Sequence, residues 1–528
     1  MNDQVALANQ MALIAALADR LSKQSPRFAM FETHISCILV TSDYAYKFKK
    51  AVRFDFLDFS TLEARHFFCR EEVRLNSRLA PDIYLDAVAV TTQDGVPVIG
   101  GEGAPLEYAV RMRAFEQEAL WDYRLQNNLL GRDEIDALAV LLARFHQEAA
   151  IAPASSPFAI QAALDAVSHE TLHQIATSAL DAQDRALVEQ LLAWDARQRA
   201  ELASIFLERK AQGMIRECHG DLHSGNILTH DGQVEAFDCI EFNDSLRWID
   251  VMNDVAFVCM DLRFRRQPEL AARFLNAYLE RTGDYGGLGV MRYYEVHRAL
   301  IRSKVALLRA AQDDVTGTEL ERCRQQGKAY LAFAAQRLRS SPPALMIMHG
   351  FSGCGKSTVA RQLVEAFDAI QLRSDVERKR MRGLAATMRG AASLYGADVT
   401  RETYDVLARL AEQVIRSGYR VIVDATFLQR EQRVRFRRLA EELKVLFLIL
   451  DIRASEAGMR ARITDRMRQD RDASDAGLAV LESQLTSHEP LLPEECRQMI
   501  VVDTETGQLD TACDRIGMAL AMQETASR

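Results

Sequence analysis

Residues 350–357 read Gly350-Phe351-Ser352-Gly353-Cys354-Gly355-Lys356-Ser357, and Thr358 follows. Glycines at this spacing let successive backbone N–H groups converge on an anion. Lys356 then brings a point charge to the outer oxygens of a polyphosphate, and the Ser357 hydroxyl is a hard ligand for Mg²⁺. The apolar run ALMIMHG before the loop and TVARQLVEAF after it supply the strand and helix that such a loop joins. The chemistry expected of 350–358 is therefore the binding of ATP with Mg²⁺.

Three further groups follow. The next apolar run ends in Leu372-Arg373-Ser374-Asp375, with Arg378 three residues on, so a helix starting there puts Asp375 and Arg378 on one face. Asp375 could take the proton of an acceptor hydroxyl or hold it in line, and Arg378 could grip the substrate or a phosphate; a capping aspartate beside a surface arginine is the plainer alternative. Asp424 closes the run Val421-Ile422-Val423, where a carboxylate can order Mg²⁺ through water or simply cap the strand. Arg460, Arg462, Arg466 and Arg468 fall within nine residues, with 462 and 466 on one helical face.

A second constellation lies at 219–226, His219-Gly220-Asp221-Leu222-His223-Ser224-Gly225-Asn226, followed by Ala236-Phe237-Asp238 after a turn at Asp231-Gly232. One carboxylate near an acceptor hydroxyl, plus an amide oxygen and a second carboxylate to hold Mg²⁺ against phosphates, is the equipment of phosphoryl transfer.

The elements that must position these residues fall into two patterns. Residues 27–120 alternate strand-like runs (SCILVTS, AYKFKK, YLDAVAVT, EYAVRMRAF) with one helical stretch at 61–79, and 132–338 are largely helical. Ser340, Ser341, Pro342 and Pro343 end that pattern. From 344 onward, strands (ALMIMHG, AIQLRSD, RVIVDAT, VLFLILD, MIVVDT) alternate with helices, as in a parallel sheet built from βαβ units. The expected fold class is an α+β two-lobed domain followed by an α/β nucleotide-binding domain with a parallel sheet.

Composition narrows the function further. A chain of 528 residues with 48% apolar and 26% charged residues is an ordinary globular protein of several domains. Its net charge of -9 argues against a surface that coats nucleic acid. Nine cysteines without zinc or CxxC spacing read as reduced, mostly buried thiols. The N-terminal 1–26 segment reads as an amphipathic surface helix, and no stretch approaches the roughly 18 uncharged apolar residues of a membrane helix. A cytoplasmic protein with no membrane partner is expected.

The spacing of Asp221, Asn226 and Asp238 resembles that of the protein kinases, and HGDLHxxN resembles the aminoglycoside phosphotransferase-like kinases over roughly 30–335. The resemblance implies a kinase-like domain at 27–338, with an N-lobe at 27–120 and a C-lobe at 121–338. It implies Asp221 as the catalytic carboxylate and Asn226 and Asp238 as metal ligands. YAYKFKK offers Lys47, Lys49 and Lys50; alternation puts 47 and 49 on one face, and the resemblance favours Lys47 for the α/β-phosphates, with Glu71 or, preferably, Glu72 as its partner. Adenine would meet backbone groups at about Met112. No G-x-G-x-x-G precedes Lys47; ETHISCILVTSD stands there, where Thr33, His34 and Ser36 could donate hydrogen bonds.

GFSGCGKST, RSDVERKR, RVIVDAT, the arginines of 460–468 and DASDAGLAVLESQL at 472–485 resemble the small P-loop kinases, a group with gluconate kinase, shikimate kinase, polynucleotide kinase and the zeta toxins. This implies a P-loop NTPase domain at 344–528 in which Arg462 and Arg466 close over ATP. The combined reading is a fusion of two phosphotransferases acting on ATP and hydroxyl-bearing small molecules, with a nucleic-acid end as a less favoured acceptor. The alternatives are a nucleotide-binding regulatory module joined to one active P-loop kinase, and a P-loop ATPase or GTPase switch. No NKxD guanine-reading motif is present.

Overall fold

Alternation along Tyr44–Lys49 sends Phe48 to one face of a sheet and Lys47 and Lys49 to the other. The computed structural model describes residues 2–54, 57–158, 161–178, 180–312, 315–384, 396–469 and 477–526. Two compact units make up the chain, Met1–Val167 with Phe206–Asp261, and Ser168–Ile205 with Leu262–Arg528.

The first unit opens with α1 (Asn2–Gln24), then β1 (Ala29–Glu32), β2 (Ser36–Val40), β3 (Tyr44–Lys49) and the short ladder β4 (Arg53–Phe54) and β5 (Leu57–Asp58). α2 (Leu62–Asn76), β6 (Tyr84–Gln93), β7 (Val96–Ile99) and β8 (Glu107–Arg113) complete a six-stranded sheet of order β1-β2-β3-β8-β6-β7. Every pair in it is antiparallel. Thr61 caps α2 by accepting from Ala64 N.

The two faces of this sheet are covered differently. Ile14, Leu17 and Ala18 of α1 pack with Cys37, Leu39, Phe48, Val90 and Ala109. On the other face Cys69 of α2 packs with Ala45, Val110 and Met112. α1 thus lays one face on the sheet, through Gln10, Ile14, Leu17 and Ala18, while most of its other residues stay exposed. Its Gln10, 5% exposed, donates to Lys49 O (2.7 Å) and Glu107 Oε2 (2.8 Å) and accepts from Ala51 N (2.7 Å). A polar residue so buried keeps its place because donor and acceptor are both satisfied.

After the sheet come α3 (Trp121–Gln126), α4 (Arg132–Glu148), α5 (Gln161–Ala176) and α6 (Ala182–Ala211). Two small hairpin-like ladders then carry the second constellation: β9 (Ile215–Glu217) with β12 (Trp248–Asp250), and β10 (Ile227–His230) with β11 (Gln233–Ala236). α7 (Asp244–Arg247) and α8 (Val251–Phe264) follow.

In the second unit, helices α9 (Pro268–Thr282), α10 (Leu288–Ala310) and α11 (Gly317–Arg337) lead into a five-stranded parallel sheet. Its strands are β13 (Ala344–His349), β14 (Ala369–Arg373), β15 (Arg420–Asp424), β16 (Leu446–Arg453) and β17 (Met499–Asp503), in the order β14-β15-β13-β16-β17. Each pairing is parallel. The helices between them are α12 (Lys356–Phe367), α13 (Ser374–Arg380), α14 (Ala397–Arg416), α15 (Arg430–Leu443), α16 (Glu456–Gln469) and α17 (Leu478–Ser487), with α18 (Leu509–Ala526) last. Burial on both faces explains the near-continuous apolar strands, and the core of Met346, Met348, Leu363, Ile422, Leu450 and Val502 also takes in Ala272 of α9.

The five strands read from apolar runs after 344 are the five strands of this sheet. Of the segment 472–485, residues 472–476 lie outside the described residues. Among the described residues no helix is long and apolar enough to cross a membrane. Seven cysteines are buried, while Cys496 is exposed and Cys513 half-buried, and none is in a disulfide.

Candidate active sites

In the first unit Lys47 Nζ donates to Glu72 Oε1 at 2.8 Å and to Asp238 Oδ1 at 2.5 Å. β3 and α2 thus bring together the lysine and glutamate singled out from sequence, with Asp238 at the end of the β10–β11 hairpin. Burial pulls the Lys47 pKa down, but Asp238 and Glu72 outweigh it and hold the ammonium well above its ordinary value. Glu71 turns instead to Arg74, at 2.5 Å. Lys50, on the opposite face, donates to Glu32 Oε1 (2.6 Å) and Thr33 O (2.5 Å).

Lys49 is a partner that sequence reasoning left unassigned. It lies 2.6 Å from Glu72 Oε2 and also bonds Glu241, and Lys49 and Glu72 are almost fully buried. Glu72 therefore sits between two ammonium groups, which lower its pKa despite the cost of burial, whereas burial dominates at Glu241 and raises it.

Asp221 and Asn226 meet as their spacing suggests. Asn226 Nδ2 donates to Asp221 O (2.9 Å) and to Asp221 Oδ2 (3.1 Å), so the amide oxygen is the atom left to face a cation. Gly220 has φ +87°, and a Cβ there would come 2.6 Å from Leu246 O, so only glycine fits before Asp221. Asp238 has φ +62°, rare for a residue with a side chain, and its N–H donates to Tyr84 Oη at 3.2 Å. Strain of this kind persists only where surrounding contacts over-determine it. Cys239 N, next along, is fixed by Asn76 Oδ1 at 2.8 Å.

Sequence reasoning also missed what holds the loop from below. Asp254 of α8, fully buried, accepts from His219 N (2.8 Å) and Gly220 N (3.0 Å). Asp261, two turns later, accepts from Ser224 N at 2.9 Å. The two aspartates are seven residues apart, an (i, i+7) pair on one face of α8 that could have been noticed. His219 Nε2 meets Phe237 O at 2.9 Å, and burial lowers its pKa. It ties the Asp221 segment to the Asp238 segment as a neutral imidazole.

Met112 lies one residue before the end of β8, paired with Ala45 on one side and Tyr84 on the other. The segment ETHISC forms the β1–β2 turn, closed by Thr33 Oγ1 donating to Ser36 O (3.3 Å) and accepting from Ser36 N (3.0 Å).

In the second unit a cleft of about 780 Å³ is lined by Ser352, Gly353, Gly355, Lys356, Ser357, Thr358, Asp375, Arg378, Asp424, Arg462 and Arg466. Gly350 and Cys354 do not line it. Gly350 N bonds Thr426 O at 3.1 Å, and Cys354 is core, its thiol pKa raised by burial. Lys356 Nζ donates to Gly350 O (2.9 Å) and Phe351 O (2.7 Å). Arg378 Nη1 holds Asp375 Oδ1 at 2.7 Å, the same-face pair expected.

Asp424 is buried, which raises its pKa; Arg373, a hydrogen bond from Ser357 and Lys356 pull it back. Gln371 Nε2 donates to its Oδ2 at 2.9 Å. Of the arginines, Arg462 reaches Cys354 O (3.2 Å) and Thr504 Oγ1 (2.8 Å), so α16 is tied to the loop. Arg460 points away to Glu456 and Glu482. Gln484 accepts from Ser352 N at 2.9 Å, a contact with the loop that spacing alone does not announce.

Known proteins match the chain in two successive segments. Residues 71–294 match the phosphotransferase enzyme family, and 345–491 match an AAA domain. The chain is 30% identical over 454 residues to the uncharacterized protein Rv2004c of Mycobacterium tuberculosis, covering 84% of this chain and 87% of that one. It belongs to the same family. Among solved structures it is similar to a choline/ethanolamine kinase family protein from Mesorhizobium loti, with 12% identity, coverage of 62% of this chain and 99% of that one, and a TM-score of 0.37. It is also similar to a gluconokinase from Sinorhizobium meliloti, with 20% identity, 35% and 95% coverage, and a TM-score of 0.25. The chain joins a kinase-like domain to a P-loop NTPase fold, and its class is that of a phosphotransferase.

Proposed function

We propose that this phosphotransferase uses ATP at both sites, moving the γ-phosphoryl group to a hydroxyl of a small-molecule acceptor. The observation that carries the reading is the convergence of Lys356, Ser357, Asp375, Arg378, Asp424, Arg462 and Arg466 on one cleft. The oxygen donors fit Mg²⁺, with Ser357 and Asp424 holding it in the second unit and Asn226 and Asp238 in the first. When bound, the ion neutralises charge on the phosphates.

The residues divide the remaining work. Backbone amides of 352–358 cradle the phosphates, and Lys356 reaches the outer ones. Asp375 takes the acceptor proton as the acceptor oxygen bonds to phosphorus and the bond to the ADP oxygen breaks. Arg378 grips the acceptor, and Arg462 and Arg466 offset charge that builds on the transferring group. In the first unit Asp221 serves the acceptor, Lys47 held by Glu72 serves the phosphates, and adenine lies against backbone near Met112.

The glycine-free β1–β2 turn favours a second reading, in which the first unit binds nucleotide for regulation only. Both are tested by measuring ATP turnover with the full chain against a panel of small alcohols, sugars and oligonucleotides. Lys356→Ala should remove the transfer due to the second unit, and unchanged transfer overturns that assignment. Asp221→Asn should remove transfer in the first; normal turnover points to regulation. Hydrolysis indifferent to every acceptor would indicate an ATPase switch.

A further inference from the structure

The strand β14 lies at the edge of the parallel sheet, and helix α9 meets that edge with side chains. Asn276 Nδ2 donates to Ala369 O at 2.9 Å, and its Oδ1 accepts from Gln371 N at 2.7 Å. One carboxamide thereby pairs with the edge as the peptide of a neighbouring strand would. One helical turn later, Glu280 Oε1 accepts from Arg373 Nη1 at 2.9 Å.

Both contacts lead to the same place. Gln371 and Arg373 are two residues apart on β14 and so share a face. Gln371 Nε2 is 2.9 Å from Asp424 Oδ2, and Arg373 Nε is 3.9 Å from that oxygen. Asn276 fixes the backbone from which Gln371 reaches Asp424, and Glu280 fixes the guanidinium beside it. α9 is itself anchored by Ala272 in the core of the sheet and by Arg273 Nη1, 3.0 Å from Glu365 Oε1. It belongs to the segment 71–294 that matches the phosphotransferase family, not to the AAA segment whose carboxylate it steadies.

We propose that Asn276 and Glu280 are positioning residues for Asp424, so that a helix outside the P-loop segment sets the geometry with which that carboxylate receives Mg²⁺. The proposal rests on reading Asp424 as the Mg²⁺-ordering carboxylate. Holding one carboxylate oxygen presents the other in a fixed direction, and groups bonded directly to a metal ligand, as Gln371 is to Asp424, commonly change metal affinity 10- to 100-fold when removed. Asn276 and Glu280 act through Gln371 and Arg373, so the lower end of that range is expected of them.

The test is binding of a fluorescent ADP analogue to the full chain, titrated with Mg²⁺. The signal is the part of the binding that Lys356→Ala abolishes, which separates it from nucleotide held in the first unit. Asn276→Ala and Glu280→Gln should each raise the Mg²⁺ concentration at half-maximal effect about tenfold, with affinity in EDTA unchanged. Glu280→Asp should fall between. A merely structural loss would lower the amount of binding without moving that midpoint, and Glu280→Gln keeps side-chain shape, so its fold is expected to survive. If Asp424→Asn shifts the midpoint and neither α9 variant does, the proposal is overturned alone. If Asp424→Asn shifts nothing, the reading of Asp424 falls, and the proposal with it.

Discussion

Lys47 Nζ lies 2.5 Å from the carboxylate of Asp238, 191 positions further along the chain. Its neighbour on the same face, Lys49, is 1% exposed and bonds only buried carboxylates, Glu72 and Glu241. The two lysines should therefore fail differently. Lys47→Ala leaves Glu72 paired with Lys49, so the fold should persist while nucleotide affinity of the first unit drops at least about tenfold. Lys49→Ala leaves Glu72 to Lys47 but strands the buried Glu241, and should cost about 3–5 kcal/mol. Thermal unfolding alongside nucleotide titration separates them; equal stability losses would contradict the division of roles.

Asp254 receives two amides of the segment before Asp221, at 2.8 and 3.0 Å. Asp254→Ala would leave those buried N–H groups without their acceptor, a cost of about 1–3 kcal/mol for each. Because Gly220 and Asp221 lose their anchor, turnover by the first unit should fall more steeply than its nucleotide affinity. Steady-state kinetics against direct binding would show the split. Equal losses would assign Asp254 to stability alone.

What the sequence made legible follows the range of each interaction. The octapeptide at 350–357 carries its own spacing, and the five apolar runs after 344 are parallel strands because both faces of the sheet are buried. Asp221 and Asn226 sit five residues apart, within one loop. Asp254 reaches that loop from 35 positions away, and Glu241 reaches Lys49 across 192. Such pairings leave no local periodicity. The burial of Gln10 on α1 was equally hidden, since it looks solvated until Lys49 O and Glu107 are seen to satisfy it.

Glu217 accepts from Arg74 Nη2 (2.7 Å), Arg78 Nη1 (3.1 Å) and Arg247 Nε (3.3 Å). Burial pushes its pKa up, but the hydrogen bond from Arg74 and the charge of Arg78 prevail, leaving it below the ordinary 4.5. The folded state then binds fewer protons than the unfolded one, so this stabilisation is complete above about pH 4.5 and is lost as pH falls through the depressed value. Glu217→Gln should lower stability near neutrality by about 1–3 kcal/mol and flatten the acid limb of the unfolding curve. Denaturant titrations from pH 7 to pH 3 would test this, and an unchanged acid limb would refute it.

Gly353 has φ +83°, and a Cβ there would come 2.7 Å from Met459 O and 3.0 Å from Ile463 Cγ1. Both neighbours belong to α16, the helix that carries Arg462 to Cys354 O and Thr504. Gly353→Ala must therefore either distort the loop or push α16 outward, and backbone strain of this sort costs about 1–3 kcal/mol. In either case the amides of 352–358 and the Arg462 guanidinium lose their common register. Nucleotide affinity of the second unit should fall about tenfold or more, since 1.4 kcal/mol is one decade, while the first unit keeps its own. Titrating nucleotide into the variant in the Lys47→Ala background isolates the effect. Binding as tight as in the parent would mean that the loop does not need its left-handed turn.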